Sequence, residues 1–184
     1  GGSNLFSSWI LPPLISDFVT RYPNIKINLV EETTARLTEF LQKGAVDLIL
    51  DNTDLGSESF ASRIFQEEHL LLAVPRHFPA NDSLKEFQIS ENQTFLEDQI
   101  LPVPLNHFQE LPFIMLKDEN DTGKRARQIC KSSHFTPNIV LNMDQQMTAY
   151  NVCQSGLGIS FIGDIMLSRI PHNKEVIYYK LPER

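Results

Sequence analysis

The chain has 184 residues, with 16 basic against 23 acidic side chains for a net charge of −7 and 41% hydrophobic composition. That suits one large domain or two small lobes with a real core, and it excludes extended disorder. The acidity argues against direct binding to nucleic acid or to anionic membrane. The apolar runs, such as Leu70 to Val74, end at proline or a charge far short of the roughly 20 residues that span a bilayer, so no membrane contact is expected. No basic start followed by an apolar run marks a signal peptide, which makes the cytoplasm the expected location.

The first predicted element is a helix. Ile10, Leu11, Leu14, Ile15, Phe18, Val19 and Tyr22 recur at helical spacing with one face to bury, Ser7 or Ser8 is placed to cap the start, and Pro23 ends it. Ile25, Ile27 and Leu29 then alternate with polar residues as a strand over 26–30. Thr33 or Thr34 can cap a helix through Leu37, Phe40 and Leu41 to Gly44, and Asp47-Leu48-Ile49-Leu50 reads as a short apolar strand covered on both faces. Strand, helix and strand in so short a stretch form a βαβ unit.

The middle repeats this theme. Strands are predicted at Leu70–Val74, Phe113–Leu116, Asn138–Leu141 and Gly158–Ile162, with helices at Thr122–Ser132 and from Asp144 to Ser155, closed by Gly156. Asn81 to Pro112 has no sustained period and reads as an exposed excursion. A helix at Asp164–Ile170 and a strand at Val176–Lys180 follow. The fold class is α/β, with two Rossmann-like lobes and a ligand cleft between them. Lobe I is expected over 1–74, with 163–184 returning to it, and lobe II over 75–162.

Most catalytic and metal motifs fail on spacing. Asp118 to Gly123 begins like a calcium loop, but its twelfth position is Ile129 instead of a glutamate. Gly123-Lys124-Arg125 lacks the rest of a P-loop, and His69, His77, His107, His134 and His172 share no helical face. Cys130 and Cys153 form no CxxC pair and read as buried thiols, so no cofactor and no metal are expected. Lys124, Arg127 and Lys131 read as a solvated helix face. The tripeptides at Asn81, Asn92 and Asn120 fit a glycosylation pattern that means nothing in the cytoplasm. No nucleophile–base pair emerges, so an enzyme is not expected.

The opening "GGSNLFSSWILPPLISDFVTRYPNIKINLVEETTARLTEFLQKGAVDLIL", "EEHLLLAVPRHFP", "LPFIMLKDENDTGKRARQI" and "AYNVCQSGLGISFIG" together resemble the effector-binding domain of LysR-type transcriptional regulators. The likeness covers nearly the whole chain. It implies a type 2 periplasmic-binding-protein-like fold that senses a small-molecule effector, such as an organic acid or amino acid. The implied parent is a homo-oligomer, dimer or tetramer, that meets DNA only through an N-terminal winged helix-turn-helix absent from this chain. In the implied dimer the first helix packs near the partner's second lobe. The family carries further elements before and after the segment present here, so a fragment is expected. A solute-binding protein of a transporter with the same fold is the alternative.

In parallel α/β lobes the loops after each strand face the ligand, and helix N-termini there offer free N–H groups. The first such loop runs from Ser3 and Asn4 to Ser7 and Ser8, where Ser3 and Asn4 match the family's effector loop and helix capping competes for the two later serines. Thr34 matches an effector-contacting position and can also serve as a cap. Asp51 and Asn52, with Thr53, form either a third effector loop or a plain turn. Lys117 and Asp118, followed by Glu119 and Asn120, form the fourth, matched by Gln145 at the next helix start. Lys117 is the one cation in these loops, either pairing with an anionic effector or simply solvated.

Overall fold

The computed structural model describes residues 1–52, 59–90 and 99–182. These form two compact units, Gly1–Gln66 and Glu67–Arg184. The division falls eight residues before the expected lobe boundary. Thr53 of the third loop and the Asn92 tripeptide lie outside the described residues.

The first unit opens with a π-helical turn, Phe6–Ile10, continuous with helix α1, Leu11–Arg21. Pro12 and Pro13 explain the wide turn. Neither has an N–H to donate back to residue i−4, and a proline ring clashes with that carbonyl, so the turn opens and the Leu11 N–H bonds to the Phe6 carbonyl five residues back. Helix formation starts earlier than predicted, because the Ser7 N–H already bonds to the Ser3 carbonyl at 2.9 Å. Ser7 and Ser8 therefore sit inside the helix and cap nothing.

The burial of α1 is the first correction. Phe6 and Ile10 are buried, but no residue of α1 is, and Leu14, Phe18, Val19 and Tyr22 are exposed. The apolar stripe is present and, within this unit, uncovered.

The two strands predicted here also reduce to less. Gly2 forms isolated parallel bridges to Glu31 and to Leu50, carried by Gly2 N–H to the Val30 carbonyl at 3.0 Å and Leu50 N–H to the Gly1 carbonyl at 2.9 Å. Ile25, Ile27, Leu29 and Leu48 are exposed, so the 26–30 and 47–50 segments have neither the extended ladder nor the double cover expected of them. Between them helix α2, Thr34–Gln42, turns Leu37 inward with no residual exposure.

The second unit holds a five-stranded sheet. Its strands are β1 Leu70–Pro75, β2 Pro112–Leu116, β3 Asn138–Met143, β4 Ile159–Gly163 and β5 Val176–Lys180, in spatial order β3-β2-β4-β1-β5. β2 runs parallel to β3 and β4, whereas β1 is antiparallel to both β4 and β5. The parallel part is the predicted βαβαβ, with crossovers through α4, Asp121–Ser132, and α5, Gln146–Gln154. β5 thus pairs with Leu71–Pro75 inside this unit. Two short helices, α3 Ala80–Ser83 and α6 Asp164–Leu167, flank the sheet strands in sequence.

Every residue of β1 and β4 is buried, and one core joins them with Phe113, Met115, Ala126, Ile129, Phe135 and Ile177. Burial of each large apolar side chain contributes roughly 1.5–3 kcal/mol. The predicted excursion over 81–112 is the second correction. Leu84, Val103, Leu105 and Phe108 are core members, and two backbone groups of the segment bond to β5, Ile89 N–H to the Tyr178 carbonyl and Val103 N–H to that of Lys180, both at 2.9 Å. Irregular backbone can be buried when its polar groups find partners.

Candidate functional site

In the first unit the parallel bridges at Gly2, Glu31 and Leu50 align three segment ends. Ser3-Asn4, Glu32 to Thr34, and Asp51-Asn52 therefore leave from one end. Thr33 caps α2, its hydroxyl accepting the Arg36 N–H at 3.4 Å. That releases Thr34, whose hydroxyl donates to Asp51 Oδ2 at 2.7 Å. Its lone pairs remain able to accept. Asp51 Oδ1 accepts the Asn52 N–H at 2.7 Å, so Asp51 holds two of the three segments in register.

Asn4 Nδ2 donates to Glu31 Oε1 at 2.9 Å, which ties the start of the helix to the second segment. Ser7 is buried, with Oγ donating to the Gly2 carbonyl at 2.9 Å. Its role is to hold the glycine that carries both bridges. Ser3 is half-buried and Ser8 exposed. The structure brings Asn4 against Glu31 and Thr34 against Asp51, and it turns Ser7 away into the backbone. Glu31 is the residue the sequence reading missed; a glutamate closing an alternating segment was its only signal.

In the second unit the loops after β2 and β3 come together, because the Lys117 N–H bonds to the Met143 carbonyl at 2.9 Å. Lys117 Nζ pairs with Asp144 Oδ1 at 2.7 Å. The hydrogen bond with Asp144, reinforced by its charge, raises the Lys117 ammonium above the usual lysine range. Asn120 caps α4 by accepting the Gly123 N–H at 3.4 Å, and its Nδ2 reaches the Asp144 carbonyl at 3.3 Å. A side chain at Gly123 would collide with the Lys117 and Leu116 carbonyls, so glycine lets the first turn of α4 lie directly on the loop.

Arg127, read from sequence as part of a solvated face, instead fixes this loop. Its guanidinium donates to the Leu116 carbonyl at 2.7 Å and that of Gly123 at 3.2 Å, and Nε pairs with Asp118 Oδ1 at 2.8 Å. Gln145 is the cap residue of α5, exposed and without a side-chain capping bond. Behind it Gln146 is buried and donates to Thr122 Oγ1 at 3.2 Å, which joins the starts of α4 and α5.

Arg125 clamps the unit's entry. Its guanidinium donates to Glu68 Oε2 at 2.6 Å and to the Glu68 carbonyl at 2.7 Å, while the Glu68 side chain is only 3% exposed. Gly163 makes room for that carboxylate, because any Cβ there would overlap Glu68 Oε1. The two thiols are buried. Desolvation pushes Cys130 up to about 11 and Cys153 up to about 12, and Cys153 Sγ donates to the Ala73 carbonyl at 3.3 Å. At neutral pH both are protonated and unreactive.

An α/β unit whose helix starts and polar loops gather at the carboxyl ends of parallel strands belongs to the class of folds that bind a small ligand at that edge. The comparisons make this specific. The family model described as the LysR substrate binding domain matches residues 1–184, and the chain belongs to that family. The uncharacterized HTH-type transcriptional regulator YcgK of Bacillus subtilis strain 168 is 27% identical over 178 residues, covering 94% of this chain and 53% of the relative. The regulatory domain of CcmR from Synechocystis PCC6803, solved in complex with 2-PG, superimposes with a TM-score of 0.76 at 15% identity over 99% of this chain and 79% of that one. The BenM effector binding domain with benzoate gives 0.73 at 18% identity over 99% and 76%. The fold is therefore the type 2 periplasmic-binding-protein-like one. The chain spans about half the length of the curated relatives it matches.

Proposed function

We propose that this chain is the effector-sensing module of a LysR-type DNA-binding transcriptional regulator and performs no catalysis of its own. The observation that carries the reading is the family match along the whole chain. Relatives that match over half their length are transcriptional regulators, which favours this reading over a transporter's solute-binding protein. DNA contacts belong to another part of the parent, since this part has a net charge of −7. Cytoplasmic residence follows from that role.

Effector contacts are assigned to Ser3, Asn4, Ser8, Thr34, Asp51 and Asn52 in the first unit and to Lys117, Asp118 and Gln145 in the second, with Ser7 positioning Gly2. The first cluster combines N–H groups of a helix start with the carboxylates of Glu31 and Asp51. Such a mixture suits a zwitterion, so an amino acid is preferred to a plain organic acid. A thermal-shift screen of the chain against amino acids and organic acids tests this. Saturation at a hundredfold excess over Kd stabilises by about 2.7 kcal/mol. Thr34→Ala should abolish the stabilisation; no hit in the screen, or a hit insensitive to both Thr34→Ala and Lys117→Ala, refutes it.

The parent is further proposed to dimerise, with α1 of one copy against the second unit of its partner. The exposed stripe Leu14, Phe18, Val19 and Tyr22 supports this, as do Ile139 and Val140, exposed on the edge strand β3. Light scattering that finds only monomers of the full-length parent refutes it.

A further inference from the structure

Helix α5 has a second stripe that the sensing role does not use. Met147, Tyr150, Asn151 and Gln154 recur at positions i, i+3, i+4 and i+7 and line one wall of a depression of about 380 Å³, a volume suited to a small ligand. The other wall is residues 170–174, between α6 and β5. This wall is fastened in place, with Arg76 Nε donating to the Lys174 carbonyl and Asn173 Oδ1 accepting the Glu175 N–H at 2.9 Å. Tyr150 is fully buried, its hydroxyl joined to that of Tyr178, and the His172 ring stands edge-on to Tyr178 at 5.6 Å.

The chemistry of the lining is one-sided. Among the described residues no carboxylate lines the depression, in a chain whose net charge is −7. Lys174 and Asn151 belong to this lining; Lys174 Nζ makes no ion pair with a described carboxylate, and the Asn151 amide has no side-chain partner among the described residues. Met147, Ile170 and Pro171 supply apolar walls.

We propose that this groove binds a small organic monoanion with a flat apolar body, an arylalkyl carboxylate, with its carboxylate on Lys174 and Asn151 and its ring against Pro171 and Met147. The anion-binding end is set apart from the candidate effector loops, because Asn151 lies about 9 Å along α5 from the Gln145 cap. It does not rest on the effector reading.

The test is titration of the isotope-labelled 184-residue chain with phenylacetate, read by amide NMR shifts, with neutral phenylacetamide as the control. Saturable shifts are expected at 147–154 and 170–174, with the amide analogue at least about tenfold weaker. Lys174→Glu should abolish them and Lys174→Gln weaken them, while Thr34→Ala and Lys117→Ala leave them unchanged. The proposal is overturned by shifts confined to residues 3–8, 34, 51–52 and 117–120, by equal affinity for phenylacetamide, by indifference to both Lys174 variants, or by no saturable shift.

Discussion

The two units carry apolar residues in similar patterns and treat them oppositely. In the second unit β1 and β4 bury every residue, and even the proline-broken stretch before β2 contributes Leu84, Val103 and Phe108 to the core. In the first unit Ile25, Ile27, Leu29, Leu48 and the outer stripe of α1 stay exposed. Periodicity states which face of a segment wants cover, and other parts of the chain, or another chain, decide whether it gets any.

The largest expected effect lies in the second unit. Phe113 is fully buried between Phe135 and Phe161, so Phe113→Ala should lower unfolding free energy by about 3–5 kcal/mol in denaturant titrations. If it costs no more than Phe18→Ala, the contrast between the units is broken.

Arg125→Met should cost about 3 kcal/mol, because it removes the guanidinium paired with the buried Glu68 carboxylate. Adding Glu68→Leu should recover part of that loss, measured as a double-mutant cycle. Full additivity of the two changes would show that the pair does not act as a clamp.

Alkaline stability offers a subtler test. Burial holds both thiols above the ordinary value of 9.0, to about 11 and about 12. The folded state then keeps protons that the unfolded chain releases, so stability is intact below pH 9 and falls as pH rises toward those values, by about 1.4 kcal/mol per pH unit for each thiol. Cys130→Ala with Cys153→Ala should flatten the slope between pH 9 and 10, below the range in which the buried Tyr178 and Tyr179, also raised from 10.0, add to it. An unchanged slope would assign the loss to other groups.

The smallest effect on folding belongs to α1. Leu14→Ser with Phe18→Ser should change the stability of a dilute monomer by no more than about 0.5 kcal/mol, yet abolish self-association of the parent in light scattering. A large loss of monomer stability would mean that the stripe is covered within the chain.

Much of the second unit was legible in the sequence. β1 and β2 are unbroken apolar runs, and α4 has Asn120 as a cap and Gly123 beside it, local signals that need no partner to be read. The excursion was misjudged because irregular backbone carries no period. Its burial depends on hydrogen bonds to β5, far along the chain. In the candidate site, Thr34 was nominated from the family resemblance and Lys117 from loop position, but their pairing with Asp51 and Asp144 follows from tertiary register, which spacing does not encode. Arg125 and Arg127 were lost in a charge run whose members look alike until their carbonyl partners are known.

The π-helical turn before Pro12 does more than relieve a clash. A wide turn spends one extra residue, which shifts the phase of everything after it by roughly 100°. Phe6, Ile10, Leu14 and Phe18 follow one spacing in sequence, yet the first two point into their own unit and the last two point out. The prolines thus give a single run of apolar residues two addresses, one that anchors the helix and one left for something else to claim.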